Sequence, residues 1–468
     1  MSWQQFRCGT NCTAFPADCI SERLYRETAD ALKATGLLAA GYDTVHLDDC
    51  IVAKARDSVT NELVADPERF PSGFKALGDY IHSLGGKFGF YTAMSSTTCG
   101  GYPASAHFEE LDAKTFAAWG VDYLKVDGCG DQSYYPEGYR KFGDALQASG
   151  RDIIYSCSWP AYLGDDEAQK PFATFIEAGC NLWRNFIDMG PTVGYMQGVA
   201  EHFGNYSAAL APWAGPGHWH DPDMLTVGID GISLDAMRTN MAIWCIVAAP
   251  LIMGNDVRLL QPEHLAILLN RDAIAVSQDP AGIMGQRLGG AAASNAPSQT
   301  WFRPLSTGAV AVGLYNAGPA PTHPWHSACD AFNVSTDGYY SPKNLQPAGW
   351  CLNAFGESLL EWYCCNTPDC AGYNFSAASG VGCMMKDVDG PFVAAPGTNG
   401  ATKPGGCQPP GGPASITVNF ADVGLFPGSI TEVFDIWAGA VVQLSNATSY
   451  TAVVPFEGTA FLRLRSTA

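Results

Sequence analysis

Charge is what this chain has least of. Only 15% of its 468 residues are charged, and the positive sign is the scarcer one, with 26 Lys and Arg against 46 Asp and Glu and a net charge of −20. A chain this acidic is poorly suited to nucleic acid or to an anionic membrane surface. Long apolar runs are also missing. The longest, Met241 to Met253, is too short to cross a bilayer and contains Pro250. There is no Gly-rich phosphate loop of the kind that marks a doubly wound nucleotide-binding sheet. The first twenty residues do not read as a secretion signal, because they carry Arg7 and Cys8, Cys12 and Cys19.

Cysteine is plentiful. Sixteen Cys are many for a cytosolic chain, and Asn-x-Ser/Thr sequons stand at Asn11, Asn205, Asn333, Asn374 and Asn446. Together they predict a soluble, glycosylated protein of an oxidising compartment, secreted or lysosomal/vacuolar, whose targeting segment is missing. Hydrophobic residues reach 47%, enough for a large folded core.

From residue 1 to about 285, short apolar strands alternate with amphipathic helices. Helical stripes are Leu24, Thr28, Ala31 and Leu32, then Phe74, Leu77, Ile81 and Leu84. Strands are predicted at Thr44–Asp49, Lys87–Ala93, Tyr123–Asp127, Asp152–Ser158, Leu182–Asp188, His218–Met224 and Leu251–Asp256. Seven such units, and an eighth strand at Met1–Phe6, predict an α/β protein with a (β/α)8 TIM barrel. Polar residues at six strand ends favour the barrel over an open sheet, which would gather function at one switch point. Past residue 286 the pattern becomes strands joined by Gly/Pro turns, a C-terminal antiparallel β domain over 286–468. It is interrupted at 321–412 by a disulfide-rich insert with seven Cys, an odd number whose connectivity stays open.

Two segments carry candidate chemistry. In Tyr123-Leu124-Lys125-Val126-Asp127, alternation places Tyr123, Lys125 and Asp127 on one strand face. In Leu182-Trp183-Arg184-Asn185-Phe186-Ile187-Asp188, it does the same for Arg184, Phe186 and Asp188. A strand face holding a cation and a carboxylate is costly unless both are paired or both meet a polar ligand. Two strand-end carboxylates are what a glycosidase needs. The alternative is that both are buried barrel ion pairs.

Three longer motifs, Asp66-Pro-Glu-Arg-Phe-Pro-Ser-Gly73, Trp119-Gly-Val-Asp-Tyr-Leu-Lys-Val-Asp-Gly-Cys129 and Trp219-His-Asp-Pro-Asp-Met224, resemble glycoside hydrolase family 27. This family holds the lysosomal-type α-galactosidases and α-N-acetylgalactosaminidases. The resemblance runs from Trp3 to about Asn316 and resumes near Ser415; the insert is outside it. It implies a retaining double displacement with Asp127 as nucleophile and Asp188 as general acid/base. Lys125 would keep Asp127 ionised, and Asp188 would need partial burial or a neighbouring carboxylate to hold its proton. The resemblance assigns the rest of the sugar site to Trp3, Asp48, Asp49, Tyr91, Lys125, Cys129, Ser158, Ala161, Tyr162, Arg184, Asp223 and Met224. It also implies the disulfides Cys8–Cys50, Cys12–Cys19, Cys99–Cys129 and Cys157–Cys180. No metal and no cofactor is implied; the partner is a carbohydrate, and a homodimer is one arrangement open to the chain.

Ser158 and Ala161 stand where related α-galactosidases carry Glu and Leu. The smaller pair leaves room for an acetamido group at the sugar's C2, which points to terminal α-linked N-acetylgalactosamine, with α-galactosides as the alternative substrate. Two rival classes remain. His218 and His220, with His46, suggest a metal-dependent barrel hydrolase. The insert allows a non-catalytic sugar-binding protein.

Overall fold

The structure is a computed structural model that describes residues 8–318, 412–425 and 430–467, together with short strands within 333–402. Trp3 and the expected strand at Met1–Phe6 lie outside the described residues, as do the side chains of the insert, including its seven cysteines, Asn333 and Asn374.

Six parallel strands stand side by side in chain order: β1 (Thr44–His46), β2 (Lys87–Ala93), β3 (Tyr123–Asp127), β4 (Ile154–Cys157), β5 (Leu182–Arg184) and β6 (Trp219–Asp221). Helices fill the connections, as parallel neighbours require. This is the curled wall of a (β/α)8 barrel. The segment after β6 continues the wall through a single parallel bridge, Leu225 to Met253, rather than through the strand expected at Leu251–Asp256.

The helices start where the sequence provides caps. The Ser21 hydroxyl accepts from Leu24 N–H before Glu22–Ala34, and Ser233 does the same for Ala236 before Leu234–Ile246. Helix Gly73–Ser83 buries Phe74, Leu77 and Ile81 against the sheet. Helix Leu234–Ile246 buries ten of its residues, which explains the apolar run that begins at Met241. Burying a large apolar side chain such as Leu77 or Ile243 contributes roughly 1.5–3 kcal/mol.

Beyond the barrel, Gln286–Arg287, Ser298–Pro304, Val310–Asn316, Ile430–Asp435, Ala440–Ser445 and Thr459–Thr467 form one antiparallel sheet. Ala414–Asn419 and Ser449–Val454 form a second. Val312, Leu314, Val418, Val433, Leu462 and Leu464 pack between them as a separate core. The edge strand Ala440–Ser445 was not legible in the sequence, because its aliphatic residues do not alternate with burial: Val441, Val442 and Leu444 are all exposed. The domain is fastened to the barrel by Thr239 Oγ1 donating to Glu457 O at 2.6 Å and by the Arg463–Asp272 ion pair at 2.8 Å.

Candidate active site

Register brings the site together. Ala93 of β2 faces Asp127 of β3, and Tyr91 faces Lys125. The two oxygens of Asp127 are met by three donors: Tyr91 Oη to Oδ2 at 3.0 Å, Tyr162 Oη to Oδ1 at 2.8 Å, and Gly128 N to Oδ1 at 2.9 Å. Burial first, and then Asp127, hold both phenols well above the usual tyrosine range, so both stay protonated as donors. Gly128 is required by close approach: a Cβ there would stand 2.5 Å from Tyr135 Oη and from the Tyr162 ring.

Lys125 does not turn to Asp127. Its Nζ pairs with Asp48 Oδ2 at 3.0 Å. Burial works against the ammonium, but Asp48 and then Asp127 outweigh it and keep its pKa above the usual range. For Asp48 the same pair acts in reverse; burial would raise its pKa, but Lys125 outweighs this and lowers it. Asp49 is fixed by Thr98 Oγ1 at 2.7 Å, Gly100 N at 2.6 Å and Cys50 N at 2.7 Å, and burial still raises its pKa. Those contacts lock the Asp48–Asp49 corner to the loop that carries Cys99.

The strand expected to end at Asp188 ends at Arg184 instead. The Arg184 side chain explains the early stop. Its Nη2 donates to Ile187 O at 2.8 Å and Asp188 Oδ1 at 2.9 Å, so the chain wraps around the guanidinium instead of pairing onward. Arg184 also reaches Asp223 at 3.3 Å, and Asp223 Oδ2 accepts from Met189 N at 2.6 Å. Asp223 holds φ +74°, a left-handed conformation costing a non-glycine residue about 1–3 kcal/mol and frequent at functional sites. Asp188 itself is 66% exposed rather than partly buried. Its surroundings desolvate the charge, but Arg184 and then Lys125 outweigh that and hold its carboxyl below the usual range. The expectation of a raised pKa is therefore corrected, because the group beside Asp188 is a cation.

Besides Asp49, the site holds a second raised carboxyl, Asp221 at the end of β6, which lies in the Trp219–Met224 motif but was given no role from the sequence. Burial, eased by Arg184 and reinforced by Asp223, pushes it to about 6. The folded state binds this proton more tightly than the unfolded chain. Its contribution is thus full below pH ~4 and is lost as pH rises through about 6. Asp221→Asn is expected to raise the melting temperature at pH 7.5 and to change it little at pH 4. Equal shifts at both pH values would refute this account.

The four cysteine pairs Cys8–Cys50, Cys12–Cys19, Cys99–Cys129 and Cys157–Cys180 are bonded. Cys99 and Cys129 stand beside Asp127, but as a disulfide they offer no thiolate to an ion. Ser158 is buried after β4, with Trp159–Tyr162 forming a short helical turn, so Ala161 and Tyr162 follow it directly towards Asp127. Met224 is buried and joins Asp48, Lys125, Arg184 and Asp223 on the wall of a cavity of about 1110 Å³ in the barrel interior. Asp127 and Asp188 do not line that cavity, so its volume is not the volume of a sugar site.

The histidines do not converge. His220 is buried, with Nδ1 accepting from Trp183 Nε1 at 2.9 Å and Nε2 on Leu210 O at 3.0 Å. His218 Nδ1 turns to Trp213 O. His46 sits within the barrel, 4.0 Å from Asp48, and burial pushes its pKa down to about 3. Among the sequons, Asn11 and Asn446 are exposed, while Asn205 lies in helix Val193–Leu210 and accepts from Arg287.

Residues 1–279 match the family model described as alpha galactosidase A, and residues 399–464 that of the alpha galactosidase C-terminal beta sandwich domain. The chain belongs to glycoside hydrolase family 27. It is a glycoside hydrolase. It is 43% identical over 318 residues to alpha-N-acetylgalactosaminidase of Gallus gallus, covering 68% of this chain and 77% of that one. It is 41% identical over 318 residues to alpha-galactosidase A of Homo sapiens, covering 68% and 72%. Alpha-galactosidase I from Mortierella vinacea shares the fold, with a TM-score of 0.67 at 24% identity over 96% of this chain and 94% of that one. Family membership sets aside the non-catalytic reading. Two specificities remain. No helix among the described residues is long and apolar enough to cross a membrane.

Proposed function

We propose that this family 27 enzyme removes terminal α-linked N-acetylgalactosamine from glycoconjugates, with retention of configuration. The observation that carries the specificity is the Ser158-Trp159-Pro160-Ala161-Tyr162 turn. It leads from the buried end of β4 to the phenol that holds Asp127, and its two variable positions are small. An acetamido group fits where a Glu and a Leu would fill the space. Arg184 is buried and lines the barrel cavity with Asp223, which places a cation beside the proposed C2 pocket.

In the reaction, Asp127 attacks the anomeric carbon, and Asp188 gives its proton to the leaving oxygen. A glycosyl-enzyme forms at Asp127. Asp188, now ionised, then takes a proton from water, which displaces Asp127. Asp48, Asp49 and Lys125 bind ring hydroxyls, and Tyr91, Cys129 and Met224 shape the walls. Four disulfides and the exposed sequons support work in an oxidising compartment, secreted or lysosomal/vacuolar.

The direct test is hydrolysis of matched chromogenic α-GalNAc and α-Gal substrates by the purified protein. A higher kcat/KM for α-GalNAc is expected, and a preference for α-galactosides would sink the assignment. The pH profile adds a second check. The first step uses protonated Asp188, whose pKa is held low, so the working form is lost early as pH rises. kcat/KM is expected to fall as pH rises out of the acid range, with an acidic optimum. A neutral or alkaline optimum would contradict Asp188 as the acid.

A further inference from the structure

We propose that a buried charged cluster, Glu167, Lys170 and His202, positions the segment that carries Asp188. This rests on the reading of Asp188 as the acid/base. The cluster lies behind β5, outside the sugar site. Glu167 Oε1 accepts from Lys170 Nζ at 2.8 Å and lies 2.8 Å from His202 Nε2, and all three side chains are buried. Such a cluster needs an explanation. Removing ions from water costs about as much as pairing them returns, so a buried ion pair adds little net stability over apolar packing. What it provides is fixed geometry.

That geometry is applied to the two residues after Arg184. Lys170 Nζ donates to Asn185 O at 2.6 Å, and Asn185 Nδ2 donates to Glu167 Oε2 at 2.9 Å. The His202 ring lies flat on Phe186, with centroids 3.8 Å apart and planes 4° from parallel. Main chain, side chain and ring are thus held at three successive points, and Asp188 follows two residues later. Asp188 is exposed, and among the described residues its side chain is held by Arg184 alone. Proton donation requires the carboxyl to reach the leaving oxygen within hydrogen-bond distance. A displacement of about 1 Å can cost roughly 100-fold. Glu167, Lys170, Asn185 and His202 therefore act as positioning residues.

The test compares two aryl α-GalNAc glycosides. A phenyl leaving group needs protonation, whereas a 2,4-dinitrophenyl group departs without it. Glu167→Gln removes the charge, and Phe186→Leu removes the stacking plate while leaving every ion in place. Each is expected to lower kcat for the phenyl glycoside by roughly 10–100-fold, to leave glycosylation by the dinitrophenyl glycoside within about threefold, and to move KM little. Asp188→Ala serves as reference. If Asp188→Ala shows the leaving-group dependence and both variants lose activity equally on the two glycosides, or lose none, the positioning role is overturned. If Asp188→Ala itself shows no such dependence, the acid/base assignment fails instead. Should Glu167→Gln not fold, Phe186→Leu decides alone.

Discussion

Asp127→Asn is expected to remove turnover by more than roughly 10⁴-fold, the scale on which loss of a covalent nucleophile is felt. The fold should survive, because Asn keeps the shape and one acceptor for Tyr91, Tyr162 or Gly128 N–H. Sugar binding should survive as well, since the hydroxyl-binding groups assigned to Asp48, Asp49 and Lys125 are untouched. Stereochemistry makes the experiment decisive. A retaining enzyme attacks the α-glycoside from the β face, so its nucleophile-deficient Asp127→Gly form, given azide, should release a β-glycosyl azide. Asp188→Gly should still form the glycosyl-enzyme with an activated substrate, and azide should then open it to the α-azide. The wild type should release the α-anomer first, as seen by proton NMR. Initial release of the β-anomer would overturn the retaining mechanism.

The double change Ser158→Glu, Ala161→Leu is expected to reverse specificity. The wild type should prefer α-GalNAc over α-Gal by roughly 10–200-fold, the range that one missing pocket contact supplies. The introduced leucine would occupy the acetamide space, and the introduced glutamate would offer an acceptor to a 2-hydroxyl. Ser158 is buried at the end of β4, so a carboxylate placed there needs that hydroxyl or Arg184 as its partner. The measurement is kcat/KM on both substrates for both proteins. Retained GalNAc activity in the double variant would show that these positions do not shape the C2 pocket.

Much of the fold could be read because burial and period coincide. Helix Gly73–Ser83 and strand Tyr123–Asp127 match their apolar patterns to the residue or nearly so. The site was legible where residues follow a strand end in register, as Asp127 does. It was misread where a side chain redirected the main chain: alternation through Arg184, Phe186 and Asp188 looks like a strand, and only the guanidinium folded onto Ile187 O shows that it is not. Lys125 does act on Asp127, its neighbour in sequence, but its ion-pair partner Asp48 comes from the turn after the strand two places across the sheet, which spacing does not reveal. Glu167 and His202 gave no signal at all. They are 35 residues apart, and each reads alone as a surface residue.

The Cys99–Cys129 bond places a redox-sensitive link beside the Asp127 carboxylate. Cys129 stands two residues from Asp127 at φ +61°, and Tyr162 Oη lies 3.8 Å from both sulfurs while donating to the carboxylate. The wall beside the Asp127 carboxylate is thus a covalent link that a reducing compartment would not make. Chain synthesised in the cytosol would lack it even if the barrel folded.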